Sequence, residues 1–391
     1  MTIKAFLEKL SVHKNKQILK LVTGNQSADM DSVVSAIAYA YFHHQKYPKE
    51  EPILPLVNIS RDEFRLRKDI VLLLSKHDIS SSNVYFLDDV EKFTGQSVET
   101  LLDVVLVDHC NLQGELLTNL YDQKRLIVSG IIDHHADEGV FLDAVPRIIR
   151  STGSCSALVF NYWNSQIGPI LDRDVVLLLL GPLLIDTLNM LQKVEADDID
   201  AFTEYKRALS DSATIKTEST SPFSGFFAEL KEAKKDLKGF LLFDILRKDY
   251  KQFKFKSAQG EIVSVGFSSI GKSLSWVLRK YPVSEILLSL KQMSETFHLD
   301  VVIITSSFTQ KESRIYTREF CFSTHNSNLQ DLASLAEELQ LNTKFHDQDS
   351  VAEALAQINN SVLFKVYNQQ NTAASRKQVV PVIKQVIEQR L

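Results

Sequence analysis

Short apolar runs that stop at turn residues and restart with helical periodicity recur through the first half of the chain. Residues 18–22 read as a strand, 32–44 as a helix, 53–59 as a strand and 62–76 as a helix carrying Phe64, Leu66, Val71 and Leu74. Strands are predicted again at 84–87, 104–107 and 126–132. None of these runs alternates with polar residues, as expected of strands covered on both faces. Strand and helix in alternation predict an α/β fold with a mainly parallel sheet and helices on both faces. After Ile148 and Ile149 the pattern turns helical, over 154–163, 173–190 and 195–209.

Residues 210–224 are rich in Ser and Thr, contain Pro222 and have few large apolar positions, so a linker is placed there. That divides the chain into domains 1–209 and 225–391. The second, smaller domain also reads as α/β with a mixed sheet. Its predicted helices are 226–235, 241–247, 285–297 and 329–339, with a last one from about 378. Paired strands lie near 253–255 and 262–267, followed by a buried strand at 301–305 and its partner at 314–322.

At 391 residues the chain can build two cores, and 44% hydrophobic with 24% charged residues is a globular composition. A net charge of -5 favours neither nucleic-acid nor membrane partners. The basic excess is local: 231–280 holds twelve Lys or Arg against five Asp or Glu. Residues 1–16 lack the apolar core of a secretory signal, and the apolar run 175–185, interrupted by Gly181 and Pro182, is too short to span a bilayer. Cys110, Cys155 and Cys321 are odd in number and widely spaced, which fits reduced thiols and a cytoplasmic location. No heptad or apolar stripe demands an oligomer, so a monomer is expected.

Candidate chemistry sits at strand ends. After 18–22 comes Gly24-Asn25-Gln26-Ser27-Ala28-Asp29-Met30-Asp31-Ser32, whose two carboxylates serve equally well as helix caps or as metal ligands. Asp108 closes 104–107, Asp133-His134-His135 closes 126–132, and Asp186 interrupts a strongly apolar stretch. A carboxylate so buried needs a charge or metal opposite it. If Asp29, Asp31, Asp108 and Asp186 converge with His134, their mutual repulsion calls for bound cations. Carboxylates suit Mg or Mn, and imidazole suits Mn, Co or Zn. Two such ions activate a water for in-line attack on phosphorus, which predicts a phosphohydrolase. A second pair, His43-His44, has no carboxylates near it in sequence and reads as surface.

The ordered set of Gly24 to Ser32, Asp133-His134-His135, Leu184-Ile185-Asp186-Thr187 and Ser375-Arg376-Lys377 resembles the DHH phosphoesterase superfamily. Gly153-Ser154-Cys155-Ser156, Phe160-Asn161-Tyr162-Trp163 and the stretch from Asp244 to Phe253 extend the resemblance, over essentially the whole chain, to the yeast-type cytosolic exopolyphosphatases. The resemblance implies two domains with the active site in the cleft between them and two divalent ions (Mg, Mn or Co). Asp29 and Asp108 would hold the first ion, and Asp31, Asp108, His134 and Asp186 the second, with Asp108 as the bridge. Related pyrophosphatases have His where this chain has Asn25, and a neutral amide oxygen is a weaker ligand than imidazole for Mn or Co.

His135, Arg376 and Lys377 are expected to neutralise charge on the attacked phosphoryl group, while Asn25, Lys251 and Ser375 complete the substrate-binding set. The expected reaction is hydrolysis of the terminal phosphoanhydride of linear polyphosphate, releasing orthophosphate. Because the leaving group is itself an acidic phosphate, no general acid is assigned. The rivals are a manganese-dependent inorganic pyrophosphatase and a non-catalytic phosphate-binding module. Nucleic-acid-processing relatives carry a Gly-Gly-Gly-His type motif in the C-terminal domain; here the last glycine is Gly271, so none can follow.

Overall fold

The computed structural model describes residues 1–10, 17–94, 100–209 and 223–390, in two compact units, Met1–Asp236 and Leu237–Leu391. In the first, β1 (Ile18–Thr23), β2 (Leu54–Val57), β3 (Tyr85–Phe86), β4 (Leu101–Val107), β5 (Leu126–Asp133) and β6 (Arg147–Ile149) form one sheet in the order β3-β2-β1-β4-β5-β6. Every pairing is parallel. All carboxyl ends therefore emerge at one end of the sheet, and the order reverses between β1 and β4, where open α/β sheets bind ligands.

Alternation along β4 feeds two cores. Val105 and Val107 face the helices Met30–Lys46, Cys155–Ile167 and Arg173–Asp186; Leu102, Val104 and Leu106 face Leu117 and Leu120 of the helix Glu115–Asp122. No helix of the described residues is long and apolar enough to cross a membrane.

Three boundaries differ from those expected. The helix expected over 62–76 is a 3-10 turn, Arg61–Leu66, followed by a helix, Lys68–Ser75. The break is at Arg67, whose buried guanidinium reaches back to the Ser27 carbonyl at 2.8 Å. The helix expected over 173–190 stops at Asp186, because Leu188, Asn189 and Met190 take left-handed backbone angles. The helix Ser224–Lys235, expected to open the second domain, belongs to the first unit. Its Leu230 is fully buried there, Glu229 pairs with Lys76, and Asp236 just beyond its end pairs with Lys68. The linker expected over 210–224 falls outside the described residues as far as 222.

The second unit is a mixed sheet of β7 (Tyr250–Lys256), β8 (Ile262–Ile270), β9 (Val301–Thr309), β10 (Tyr316–Thr324), β11 (Leu341–Asn342) and β12 (Leu363–Gln369), in the order β11-β12-β10-β9-β8-β7. Only β8 and β9 run parallel, joined through the helices Leu274–Lys280 and Val283–Phe297. The last helix, Arg376–Arg390, lays Val379, Ile383 and Ile387 on Phe255, Val265 and Phe267. β12 and the helix Ala352–Asn359 have no counterpart in the expected elements, and the helix expected over 329–339 is broken into a four-residue helix between two 3-10 turns.

Glu319 of β10 is buried in this unit, accepting the Leu274 amide at 2.6 Å. Burial pushes its carboxyl up to about 7 against the usual 4.5, although the Leu274 and His346 amides favour the charged form. Between pH 4.5 and 7 the folded chain thus binds more protons than the unfolded one, so the stability contributed by Glu319 is complete below 4.5 and falls as pH rises. The total is about 3 kcal/mol at most. Urea unfolding across this range should show that slope in the wild type and a flatter one in Glu319→Gln; equal slopes would contradict it.

Candidate active site

The segment after β1 turns on Gly24, where a Cβ would lie 2.4 Å from the Ser32 Cβ, so the close return of the chain onto Ser32 requires glycine. Asp29 then caps the helix Met30–Lys46, accepting the Ser32 amide at 3.1 Å. Asp31, inside the first turn, is buried and points the other way. Its oxygens accept the Ser154 hydroxyl at 2.8 Å, the Cys155 amide at 2.6 Å and the Ser156 amide at 2.8 Å, all at the N-terminus of Cys155–Ile167. Of the two alternatives for this motif, Asp29 caps its helix, while Asp31 takes the donors at the N-terminus of another helix.

Asp108 leaves β4 in the left-handed region, with φ 61. Its amide donates to the Ile132 carbonyl and the Cys155 Sγ, at 3.0 and 3.2 Å. One carboxylate oxygen accepts Ser32 Oγ at 2.6 Å and Asn25 Nδ2 at 2.8 Å. The other lies 3.1 Å from His134 Nε2. Asn25 also accepts the Ser27 amide at 2.8 Å through its own side-chain oxygen, so both ends of that amide are engaged.

From β5, Asp133 accepts the His135 Nδ1 at 2.8 Å and the His134 amide at 2.7 Å, orienting the pair. These bonds hold Asp133 below the usual carboxylate range against the opposing effect of burial. His134 Nδ1 meets the Thr152 carbonyl at 3.0 Å. One ligand-type atom each from Asp108, His134 and His135 lies within 4.8 Å of the others.

Electrostatics tie the remaining carboxylates to this group. Burial first, and then the charges of Asp29 and Asp31, push Asp108 well above its ordinary value. Burial and the charges of Asp31, Asp29 and Asp108 do the same to Asp186, relieved in part by Lys234. Asp31 is raised by burial and by Asp29, against His134. Burial opposes charge on His134, but the Asp108 bond and the charges of Asp31 and Asp108 outweigh it and lift the imidazole to about 10. Asp31, Asp108 and Asp186 thus each resist ionisation because of burial and of neighbouring carboxylate charge.

The cationic residues lie in the second unit. Arg376 bonds Asp249 through its side chain at 2.6 Å and its carbonyl at 2.9 Å; Lys377 is exposed beside it in the first turn of the last helix. Ser375 precedes that helix, its amide and hydroxyl both donating to the Gln378 side-chain oxygen. Lys251, half-buried, is the second residue of β7. The basic stretch 231–280 is shared between the two units, and several of its cations are already engaged: Arg247 with Asp244, Arg279 with Asp347, and Lys280 over Trp276. His43-His44 is not surface as expected. His43 packs edge-on to Trp163 and His44 stacks on Phe6.

Ser32, Thr152 and Cys155 shape the site without standing out in sequence. Ser32 lies inside the motif, but nothing in the residues around Cys155 tells that its Sγ would meet the Asp108 amide.

Residues 20–181 match the DHH family, N-terminal domain, and residues 228–386 the DHHA2 domain. The chain is 34% identical to a Schizosaccharomyces pombe protein named "Putative exopolyphosphatase", over 94% of this chain and 91% of that one. It is 28% identical to Homo sapiens "Exopolyphosphatase PRUNE1", over 94% of this chain and 76% of the relative. A solved structure, a Methanococcus jannaschii "putative family II inorganic pyrophosphatase", shares the fold with TM-score 0.57 at 18% identity, covering 94% of this chain and 99% of its own. The chain belongs to the DHH family and carries a DHHA2 domain after its DHH domain.

In metal-stripped protein His134 should remain an imidazolium until pH approaches 10, and Asp108→Asn should bring its titration down toward the ordinary 6.5. The raised value means stability present below 6.5 and lost as pH rises through 10. Nitrogen-detected NMR of the imidazole reads this directly; a wild-type midpoint near 6.5 would contradict it.

Proposed function

We propose that this chain is an exopolyphosphatase that hydrolyses the terminal phosphoanhydride bond of linear inorganic polyphosphate and releases orthophosphate. The observation that carries the proposal is the gathering of mutually repelling carboxylates with His134 at the carboxyl end of a parallel sheet. Exopolyphosphatase-named relatives aligned over 94% of the chain support the substrate class.

The donor set, carboxylates plus one imidazole at raised proton affinity, fits two hard or borderline divalent ions, Mg, Mn or Co. Asp29 and Asp108 are the proposed ligands of one; Asp31, Asp108, His134 and Asp186 those of the other. When bound, such ions lower the pKa of a water and screen phosphoryl charge.

The protein's own groups do the rest. Ser32 and Asn25 hold one oxygen of Asp108 and leave the other directed at His134. Asp133 accepts a hydrogen bond from His135 Nδ1, which fixes the ring so that a protonated Nε2 would donate to a phosphoryl oxygen. Arg376 and Lys377 are the proposed counter-charges for substrate phosphates, with Lys251 beside them in the set; Arg376 would exchange its Asp249 contact for phosphate. The departing chain is an acidic phosphate and needs no proton donor.

Phosphate release from long-chain polyphosphate, tripolyphosphate and pyrophosphate, each with Mg, Mn or Co, tests this. The expected result is fast release from long chains that stalls at pyrophosphate, reduced at least a thousandfold in Asp108→Ala, about 4 kcal/mol of lost transition-state stabilisation. Fast pyrophosphate cleavage would make the chain a pyrophosphatase, and no turnover with any ion would make it a phosphate-binding module.

A further inference from the structure

Asp198 is a charged residue with no exposed surface, in the first turn of the helix Ala196–Leu209. Every bond to its carboxylate comes from a backbone donor: the Gly153 amide at 2.7 Å, the Ser154 amide at 3.2 Å and the Glu195 amide at 2.9 Å. It therefore ties the start of its own helix to the loop that enters Cys155–Ile167.

That loop shapes the cluster. Thr152 offers its carbonyl to His134 Nδ1. Ser154, Cys155 and Ser156 supply the three donors to Asp31, and the Cys155 sulfur accepts the Asp108 amide. Four residues of the five from Thr152 to Ser156 thus orient Asp31, Asp108 and His134, and the fifth, Gly153, donates its amide to Asp198. The loop has little room to settle elsewhere: a Cβ on Gly153 would lie 2.5 Å from the Lys193 carbonyl and 3.0 Å from the Asp198 Oδ2.

We infer that Asp198 is a positioning residue for the metal site of Asp31, Asp108, His134 and Asp186, acting through the loop from Thr152 to Ser156. The inference rests on the metal-dependent reading above. Asp198 itself touches neither ion nor substrate. Its carboxylate is required for its charge pattern as well as its size, because all three partners are donors. Asparagine would offer one oxygen and set an NH2 group against a backbone N–H.

Calorimetric titration of metal-stripped protein with Mn2+, alongside polyphosphate hydrolysis at low and saturating Mn2+, tests the inference. Asp198→Asn should bind Mn2+ ten- to a hundredfold more weakly, the usual consequence of losing an outer-shell partner. At low Mn2+ its kcat should fall, saturating Mn2+ should restore most of it, and KM for polyphosphate should stay within twofold of wild type. Asp198→Ser, which keeps a hydroxyl acceptor, should fall between the two. Wild-type Mn2+ affinity in a folded variant, or activity loss that Mn2+ does not restore, would overturn the inference. So would failure of both variants to fold, which would make Asp198 a purely structural residue. Absence of Mn2+, Mg2+ and Co2+ binding by the wild type, titrated in the same way, would instead overturn the functional proposal itself.

Discussion

A carboxylate buried among other carboxylates resists ionisation, and Asp108 is placed in that position by the backbone itself. It leaves β4 through a left-handed turn, its side chain is buried, and the charges of Asp29 and Asp31 act on it. Ser32 and Asn25 satisfy one oxygen, His134 faces the other, and the amide is fixed by Ile132 and Cys155. These contacts compensate for burial only in part, since Asp108 stays well above its ordinary proton affinity. A site built this way favours added positive charge, which is what the proposed divalent ions would supply.

The parallel sheet makes this crowding possible. With all six strands aligned, the segments following β1, β4 and β5 leave from one end, and the reversal of strand order between β1 and β4 opens the space between their loops. The N-terminus of Cys155–Ile167 then receives Asp31, so that a helix dipole and two backbone amides share the cost of burying its charge. Asp186 enters from the end of an apolar helix, with Lys234 as its counter-charge.

Much of this was legible in the residues. The run 104–107 is apolar without interruption because both of its faces are covered, and it ends on Asp108; the run 126–132, broken by Ser129 and Gly130, ends on Asp133, which orients His135. Interactions distant in sequence were not legible. Arg67 breaks a periodic helix by reaching the carbonyl of Ser27, and His43, polar and next to His44, is buried by Trp163 from another helix. Leu230 carries an expected second-domain helix into the first core. In the second unit the residues of β12 do not announce a strand, since its burial depends on pairing with β10 on one side and β11 on the other. At the site, the motif gave the carboxylates, whereas the donors around Asp31 come from more than 120 residues away. Nor is it legible that the Ser375 hydroxyl, expected at phosphate, donates to the Gln378 side chain.

The account depends on the carboxylate cluster being a two-ion site organised by Asp108. Counting Mn2+ bound per folded chain, by calorimetric titration of metal-stripped protein with inductively coupled plasma analysis of the dialysed complex, tests that directly. Two ions in the wild type, with both affinities lost or severely weakened in Asp108→Asn, is the predicted result. A wild type that binds no Mn2+, or an Asp108→Asn variant that still binds two ions as tightly, would contradict it.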